Sequence, residues 1–353
     1  MNLKKRILVA PLNWGLGHAT RCIPIIHELI KNNFEPIIGS DGNALSLLRK
    51  EFPNLHNVEL PSYNVNYSKK GTYFKLKLIS NIPSIAIAIK NENNFIKEFI
   101  KTHTIDGIIS DNRLGLYCKE VPCVIVTHQL NVLSGNTTWL STKLHQKFIN
   151  RFDECWVPDF KGDKNLSGTL GHSNKISIST KYIGPLSRFS KTTTDLKYNL
   201  MVLLSGPEPQ RSILEERLLI ELKKYNGKVI FVNGNVESEQ IVKVDGNMTI
   251  YNYMTSTELE KTINESQLIL SRSGYTTIMD LYKLSKKCFF IPTPGQYEQV
   301  YLAKKLKQDL IAPFCFQDEF TIEKLNEVKQ YKGFLNEKNE NNFKDLFSLF
   351  ESK

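Results

Sequence analysis

His18 is the residue of this chain whose surroundings best suit the transfer of a proton. It lies in the segment Gly15-Leu16-Gly17-His18-Ala19-Thr20-Arg21, a few residues after the apolar run Arg6–Pro11. Glycines let a backbone approach a ligand, and the N–H groups at a helix start attract anions. A histidine at such a place can serve as a general base. A helix-capping or merely exposed histidine is the alternative interpretation.

Asp111 is the second candidate base. It lies in Ser110-Asp111-Asn112-Arg113 and follows the predicted strand at 106–110. Ligands of parallel α/β sheets bind at the carboxyl ends of the strands, so this carboxylate is expected to face the same site as His18. An aspartate that only forms a turn is the alternative. The sequence favours His18 over Asp111 and leaves the choice open.

Three segments later in the chain suit a nucleotide-sugar donor: the first two combine small, hydroxyl-bearing and amide-bearing or basic residues that fit a diphosphate. In the third, Glu298 and Gln299 can hydrogen-bond vicinal sugar hydroxyls. Each follows an apolar run and precedes a helical pattern, where N–H groups and hydroxyls can bind phosphate oxygens without a metal ion. The candidate donor-binding residues in them are Gly206, Gln210 and Arg211, then Arg272, Ser273, Gly274 and Thr276, and finally Glu298 and Gln299. Asp280, one turn into the helix, is a candidate acceptor for ribose hydroxyls. Surface turns and a simple helix cap at Thr276 are the alternatives.

Short apolar runs alternate with helix-like segments over most of the chain, and this places the polar motifs at strand ends. Strands are predicted at 6–11, 34–39, 56–60, 106–110 and 121–126, and again at 199–205, 229–233, 249–252, 267–271 and 288–292. Helical spacing of apolar residues occurs at 20–31, 44–52, 213–224, 256–266, 276–283 and 300–306. The repeated order of strand, helix and strand predicts an α/β fold with parallel, doubly wound sheets.

The alternation stops and restarts once, which predicts two domains. Residues 1–185 form the first and 199–336 the second, while 186–198 are rich in lysine, serine and threonine and suit a linker. The segment 337–353 begins with a polar stretch and continues as an amphipathic helix, for which packing back on the first domain is one option. Its apolar positions are Phe343, Leu346, Phe347, Leu349 and Phe350.

The composition excludes several classes of protein. With 353 residues, 41% of them hydrophobic and 23% charged, the chain is typical of soluble globular proteins. The cysteines, at 22, 118, 123, 155, 288 and 315, form no C-x-x-C pair, so free thiols are expected rather than a disulfide framework or a zinc site. Neither a signal peptide nor a membrane-spanning run of about 20 apolar residues is indicated. The net charge of +10 favours polyanionic partners.

The order of the motifs resembles that of inverting glycosyltransferases of the family that includes the peptidoglycan lipid-intermediate N-acetylglucosaminyltransferase, a family 28-like group. Arg272-Ser273-Gly274, followed eight residues after the arginine by the acid Asp280, and the pair Glu298-Gln299 look like its donor-site signature. Asp280 stands where that family often has glutamate, and Ala303 stands where that enzyme has asparagine. The likeness is specific in the C-terminal half and loose between about 60 and 120.

Further segments carry the same resemblance. Tyr253-Met254 resembles the loop whose backbone meets a uracil ring, and Tyr182-Ile183-Gly184-Pro185 resembles the junction between domains. Gly15-Leu16-Gly17-His18 and His128-Gln129-Leu130-Asn131 resemble two loops on the acceptor side. The resemblance thus adds Met254 to the donor site. It assigns Gly15, Gly17, His128 and Asn131 to the acceptor side.

The resemblance implies the GT-B fold, two Rossmann-like doubly wound domains that face a central cleft. It implies inverting transfer of a hexose or N-acetylhexosamine from a UDP-sugar to a hydroxyl acceptor, with a lipid-linked acceptor among the candidates. No Asp-x-Asp pair occurs in the sequence, so no metal or other cofactor is expected beside the UDP-sugar. A nucleotide-sugar epimerase or hydrolase of the same fold is one alternative. A basic nucleic-acid-binding protein is another, but no recognised nucleic-acid motif is present, so no nucleic-acid partner is expected.

The segment 67–101 is predicted to touch a membrane surface. Its lysines at 69, 70, 75 and 77 are interleaved with Tyr73, Phe74, Leu76, Leu78 and Ile79. Mixtures of basic and apolar residues suit the surface of an anionic membrane. We therefore expect a cytoplasmic protein that can bind peripherally to the inner face of the cell membrane. An ordinary helix that packs its apolar residues into the first domain is the alternative.

Overall fold

The computed structural model describes residues 4–63, 82–173, 175–235, 239–336 and 343–351. The chain divides into two compact units. The first contains the described residues up to Arg188 together with the helix at 343–351, and the second contains those from Phe189 to Asn336. The lysines at 69, 70, 75 and 77, on which the membrane prediction depends, lie outside the described residues.

The described residues of the first unit form a parallel sheet in the order β3-β2-β1-β4-β5-β6-β7. The central strands are continuous apolar runs because helices cover both faces of such a sheet. The strands are β1 (Arg6–Pro11), β2 (Glu35–Ser40), β3 (Asn57–Glu59), β4 (Gly107–Asp111), β5 (Cys123–Val126), β6 (Glu154–Val157) and β7 (Ser179–Tyr182). The helices between them are α1 (Leu16–Lys31), α2 (Gly42–Glu51), α3 (Ile82–Thr102) and α4 (Thr138–Ile149).

The second unit has a sheet in the order β10-β11-β9-β8-β12-β13, in which only the β10–β11 pair is antiparallel within the described residues. Its strands are β8 (Tyr198–Leu203), β9 (Val229–Val232), β10 (Val242–Asp245), β11 (Met248–Tyr251), β12 (Ser266–Ser271) and β13 (Lys287–Phe290). Its helices are α5 (Gln210–Leu222), α6 (Ser256–Asn264), α7 (Tyr275–Lys283) and α8 (Tyr297–Gln308). Two 3₁₀ segments follow, Gln317–Glu319 and Ile322–Gln330.

The last helix, α9 (Phe343–Glu351), packs on the first unit. Phe347 lies with its ring centroid 5.6 Å from that of Phe34, and Phe350 lies 6.2 Å from Trp156. A Cβ at Gly107, the first residue of β4, would lie 2.3 Å from the Phe350 ring. The absence of a side chain at this glycine therefore makes room for the helix.

The structure confirms the expected α/β class and corrects several element boundaries. The main difference is α1, which begins at Leu16 instead of the predicted residue 20. The predicted start of α1 was based on the helical spacing of apolar residues. The first turn of the helix does not continue that spacing, because it contains Gly17 and His18. Among the described residues, no helix is both long enough and apolar enough to cross a membrane.

Candidate functional site

His18 lies in the first turn of α1, just beyond the end of β1. It is therefore a helical residue and not part of the loop in which the sequence placed it. Gly15 is the N-cap with a φ of +80°, a conformation that glycine adopts without strain. The His18 Nδ1 atom lies 2.9 Å from Asp111 Oδ1, and the side chain is 15% exposed. A carboxylate at one ring nitrogen orients the ring and leaves the other nitrogen for a substrate.

Asp111 ends β4 and is fully buried. Both of its carboxylate oxygens accept hydrogen bonds from the guanidinium of Arg21, and the thiol of Cys22 lies 3.6 Å from Oδ2. Burial alone would raise the pKa of Asp111, but Arg21 and then His18 lower it well below its usual range. The carboxylate is therefore ionised at neutral pH.

The two candidate bases thus differ in whether a substrate hydroxyl can come within hydrogen-bond distance of them. Asp111 is fully buried among protein donors, whereas the His18 side chain is 15% exposed. Because a general base must come within hydrogen-bond distance of its substrate, this geometry favours His18 as the base and Asp111 as the group that orients it. Burial, followed by the charge of Arg21, lowers the pKa of His18, and Asp111 opposes this change. The ring is therefore neutral at pH 7.

The loop after β5 carries the other two acceptor-side candidates. His128 is buried, and its Nδ1 lies 3.2 Å from Arg21 Nη1, so it joins the cluster around Asp111. Asn131 instead donates its side-chain amide to the carbonyl oxygens of residues 169 and 172. These bonds fix the shape of the loop, and the acceptor contact of Asn131 stays a prediction. Gly17 is the second residue of α1, and its carbonyl accepts from the hydroxyl of residue 20.

A buried charge cluster that the sequence did not reveal joins the loops at the same sheet edge. Arg113, in the loop after β4, is fully buried and pairs with Asp41 and Glu92. It also donates to the carbonyl of Pro61 at 2.6 Å, and the hydroxyl of Tyr63 donates to Glu92 at 2.7 Å. These bonds tie the loops after β2, β3 and β4 to α3. The sequence gives no signal for the cluster because its members are far apart along the chain.

The donor-side candidates lie at the carboxyl edge of the second sheet. Residues 204–209 follow β8, residues 272–274 follow β12, and residues 291–296 follow β13. These three strands are neighbours, and each loop leads into a helix: α5, α7 or α8. Met254 follows β11, further along the same edge. The fold therefore brings the three predicted donor segments together.

Arg272 holds these loops together. It is 1% exposed, and its Nη1 atom donates to the carbonyls of Ile291 and Pro292 at 3.1 Å each. Its Nη2 atom donates to the carbonyl of Gln210 at 2.8 Å and to the side chain of Gln317 at 2.6 Å. The amide of Gln317 in turn donates to the side chain of Gln210. The two terminal nitrogens of Arg272 are thus bound by protein acceptors, whereas its Nε atom is buried without a hydrogen-bond partner. This geometry gives Arg272 a positioning role for the loops, and its contact to a diphosphate stays a prediction.

Arg211 likewise contacts protein groups, and its contact to a donor stays a prediction. It pairs with Glu208 and Glu215. The Glu208 carboxylate also accepts from the backbone N–H of Ser212 at 3.3 Å, so a protein carboxylate already occupies the start of α5. The start of α5 is therefore not where we place a second anion.

The start of α7 has the features of an anion site. Its N-cap is Gly274, not Thr276, and this residue forms no side-chain cap. By contrast, α6 closes its own start with a capping box formed by Thr255 and Glu258. A Cβ at Gly274 would meet nothing nearer than 4.0 Å, and one at Gly206 nothing nearer than 3.7 Å. Backbone that a ligand can approach closely, beside a helix start, suits a phosphate.

The remaining donor candidates divide into two groups. Ser273 and Gln299 connect the loops, because the Ser273 hydroxyl donates to the Gln299 carbonyl at 2.8 Å and the Gln299 side chain accepts from the backbone of residue 293. Thr276, Asp280 and Glu298 lie half-buried in α7 and α8. These three remain the predicted contacts to the phosphate and hydroxyl groups of a donor.

Replacing Gly274 by serine is expected to weaken UDP binding about 10–100-fold without loss of stability. Serine is a favoured N-cap, so its hydroxyl can accept from the helix N–H groups that we assign to phosphate, and the backbone φ of −71° accommodates it. The loss corresponds to one charge-assisted hydrogen bond of about 1.5–3 kcal/mol. Isothermal titration and thermal melting measure the two effects. Gly246→Ser, in the β10–β11 turn, is the control for UDP affinity only, because its φ of +59° makes a side chain there strained and lowers the stability. Unchanged UDP affinity in Gly274→Ser contradicts the assignment.

Solved glycosyltransferases share this fold. The glycosyltransferase SnogD from Streptomyces nogalater is 11% identical and superposes with a TM-score of 0.60, covering 92% of this chain and 91% of that chain. MurG from Acinetobacter baumannii is 14% identical with a TM-score of 0.53, and the match covers 93% of this chain and 90% of that chain. The chain therefore has the GT-B fold.

Sequence comparisons lead from the fold to the family. Residues 210–347 match the family model described as the glycosyltransferase family 28 C-terminal domain. Over 94% of its length the chain is 24% identical to a UDP-N-acetylglucosamine--N-acetylmuramyl-(pentapeptide) pyrophosphoryl-undecaprenol N-acetylglucosamine transferase of Clostridium botulinum, 93% of which is covered. An uncharacterized glycosyltransferase of Methanosarcina mazei is 21% identical, with 93% and 91% covered. The protein is a glycosyltransferase, and the match of its residues 210–347 to the family 28 C-terminal domain confirms the resemblance seen in the sequence.

Proposed function

We propose that this protein is an inverting glycosyltransferase that moves a sugar from a UDP-sugar to a hydroxyl of a lipid-linked acceptor without a metal ion. The observation that carries the proposal is the pairing of His18 with Asp111 at the carboxyl edge of the first sheet. The acceptor hydroxyl gives its proton to His18 Nε2 as its oxygen attacks the anomeric carbon, and the nucleoside diphosphate leaves from the opposite face. A single displacement of this kind inverts the configuration at that carbon.

The start of α7 supports the donor half of the proposal. Backbone N–H groups at a helix start favour a bound phosphate through hydrogen bonds and the helix dipole. We assign to them the neutralisation of the leaving diphosphate, which some other transferases give to a metal held by an Asp-x-Asp pair. Across the described ranges, no three His, Cys, Asp or Glu side chains are grouped so that they could hold a metal ion. We propose no cofactor beside the UDP-sugar.

The relatives support the choice of nucleotide and sugar. The Clostridium botulinum protein is named as a transferase of N-acetylglucosamine from its UDP derivative to a pyrophosphoryl-undecaprenol acceptor. For this chain we propose uridine as the base, an N-acetylhexosamine or hexose as the sugar, and a polyprenyl-linked acceptor. Neither the epimerase or hydrolase alternative nor the nucleic-acid-binding alternative gains support from the similarities.

An exposed face of α4 supports an acceptor held at a membrane. Trp139 is 69% exposed, Leu140 52% and Leu144 44%. Lys143 and Lys147 are exposed as well. The five residues lie on one face of the helix, because positions 139, 140, 143, 144 and 147 follow helical spacing. A face with bulky apolar residues and lysines suits an anionic membrane surface. We therefore propose peripheral binding to the inner face of the cell membrane.

The same helix packs on the acceptor-side loop. Gln146 of α4 donates to the carbonyl of Leu130 at 3.0 Å, and the hydroxyl of Thr142 accepts from the N–H of Val132 at 3.0 Å. The loop that these bonds hold also carries His128, which belongs to the cluster around Asp111. An acceptor held at the membrane-facing side of α4 would therefore arrive at the loop next to the base.

Replacing Trp139 and Leu144 together by serine is expected to abolish binding to anionic vesicles, since both side chains lose their apolar contact with the membrane. Replacing Lys143 and Lys147 by glutamine is expected to weaken binding about tenfold or more, at about 1 kcal/mol for each lysine. Vesicle co-sedimentation at low salt measures both. Ile220→Ser is the control, because Ile220 is 64% exposed in the second unit. If the wild-type protein does not bind anionic vesicles, the membrane proposal is wrong.

A panel of nucleotide sugars tests the function directly. UDP and at least one UDP-sugar are expected to raise the melting temperature, because a ligand that binds the folded state stabilises it. Transfer of labelled sugar to a polyprenyl-diphosphate acceptor is expected with inverted anomeric configuration and without sensitivity to EDTA. Release of free sugar without acceptor favours the hydrolase alternative, and formation of an epimer favours the epimerase.

A further inference from the structure

Arg21 lies at the centre of the cluster that holds His18. It is 2% exposed and follows His18 by three residues on α1. Its Nε and Nη2 atoms donate to the two oxygens of Asp111. Its Nη2 atom lies 2.7 Å from His18 Nδ1, and its Nη1 atom lies 3.2 Å from His128 Nδ1. One guanidinium therefore connects α1 to the end of β4 and to the loop after β5.

The two contacts at His18 Nδ1 have opposite requirements. The ionised Asp111 can only accept, so its contact requires a hydrogen on Nδ1, whereas Arg21 can only donate and would require a lone pair there. One nitrogen cannot meet both requirements. The bond to the carboxylate is favoured because its acceptor carries a full charge. Nδ1 therefore carries the hydrogen and Nε2 the lone pair, while the positive charge of Arg21 lies against the ring.

We propose that Arg21 is a positioning residue for the base, which fixes both oxygens of Asp111 and keeps His18 unprotonated between turnovers. The proposal rests on the role of His18 in the proposed function. An unbalanced Asp111 carboxylate would attract a second proton onto the ring. Arg21 cancels that charge, so the pair is neutral and protonation of His18 would leave an unbalanced positive charge in a buried cluster. The base is then available at pH values where an ordinary histidine is charged.

Burial is the first cause of the lowered pKa of His18, and Arg21 is the main cause among the ionisable groups around the ring. They are Arg21 and Cys22 of α1, Asp111 of β4, His128 of the loop after β5, and His145 of α4 beyond His128. Burial, followed by His128, lowers the pKa of His145 to about 4, so His145 carries no charge near neutral pH. Burial raises the pKa of Cys22 well above its usual range. Arg21 is thus the permanent positive charge among these groups.

Histidine-labelled wild-type protein provides the first test. Nitrogen NMR between pH 4 and 9, with His18 assigned from the spectrum of His18→Gln, reports both the tautomer and the titration midpoint. We expect hydrogen on Nδ1 at neutral pH and a midpoint below the usual value of about 6.5. Hydrogen on Nε2, or a midpoint at or above 6.5, would overturn the proposal. This measurement needs neither substrate nor a folded Arg21 variant.

Two substitutions of Arg21 provide the second test. Arg21→Gln removes the charge, so the His18 midpoint and the acid limb of the pH profile of kcat/KM are both expected to rise by a pH unit or more. Arg21→Lys keeps the charge but cannot bind both Asp111 oxygens, so kcat is expected to fall about tenfold while the midpoint stays near that of the wild type. A purely structural role would lower the melting temperature in both variants and leave the midpoint unchanged, which overturns the proposal.

The outcomes separate this proposal from the proposed function. If His18 titrates as expected, but His18→Gln still transfers sugar at the wild-type rate, the assignment of His18 as the base is wrong and the effect of Arg21 on the ring stands. If His18→Gln is inactive and Arg21→Gln leaves the His18 titration and the pH profile unchanged, the base stands and the role of Arg21 is wrong. Should Arg21→Gln not fold, the wild-type titration together with Arg21→Lys decides.

Discussion

The substitution His18→Ala is expected to lower kcat for sugar transfer by about 10²–10⁴-fold, the usual loss when a positioned general base is removed. The affinity for UDP is expected to stay unchanged, because His18 belongs to the first unit and the predicted donor residues belong to the second. Steady-state kinetics and isothermal titration measure the two quantities. A variant that retains its kcat shows that another group accepts the proton.

Three further variants sharpen this test. His27 lies exposed on the same helix, so His27→Ala controls for the loss of a histidine from α1 and is expected to be fully active. Asp111→Asn leaves a neutral partner for the ring and is expected to lower kcat through His18. Because the two residues act as a unit, combining Asp111→Asn with His18→Ala is expected to cost little more than His18→Ala alone. A strictly additive loss would mean that Asp111 acts independently.

Arg113→Met is expected to lower the free energy of unfolding by about 3–5 kcal/mol, the loss seen when one partner of a buried ion pair is removed. The variant leaves Asp41 and Glu92 buried without their cation, and the carbonyl of Pro61 loses its donor. A domain with a total stability of about 5–15 kcal/mol would lose a large share of it. Urea denaturation measures the change, with an unchanged m-value as the sign that the unfolded state is the same.

Arg151→Met is the matched control for Arg113→Met. Arg151 is exposed, lies over the rings of Phe148 and Tyr117, and is expected to contribute about 0.5–1 kcal/mol. Adding Glu92→Gln to Arg113→Met is expected to recover part of the stability, because it removes one of the two uncompensated buried charges. Equal stability of the Arg113 and Arg151 variants would contradict the importance of the buried cluster.

Much of the fold follows from the sequence, for a physical reason. Strands that are covered on both faces must be apolar throughout, and the chain shows such runs within two residues of β1, β2, β4, β5, β9 and β12. The same reasoning predicted that His18 and Asp111 face one site, since both follow strands that pair in parallel, and the structure places them 2.9 Å apart. The sequence analysis missed the buried strand β6 and several elements that expose their side chains. Strand β10 is exposed throughout, and α4 turns Trp139 and Leu144 outward, so neither shows the expected pattern.

The sequence could not reveal which polar groups the protein itself occupies. Arg272 was predicted from its motif, but its partner Gln317 lies 45 residues away and belongs to no motif. Arg211 was predicted from its place at a helix start, yet Glu208 and Glu215 neutralise it. Such pairings depend on tertiary contacts, and local spacing does not encode them. The motifs therefore located the donor loops more reliably than they separated ligand contacts from positioning residues.

The packing of α9 on the first unit has a consequence for the order in which the protein folds during synthesis. The ribosome makes the first unit's sheet early, but Phe347 and Phe350, which cover Phe34 and Trp156, follow the whole of the second unit. Domains usually fold as they emerge, N-terminal first. Here the apolar surface around Phe34 and Trp156 stays uncovered until α9 has been synthesised. The final folding step of the first unit is therefore coupled to completion of the second unit, and a fragment that ends at residue 188 lacks part of its own core.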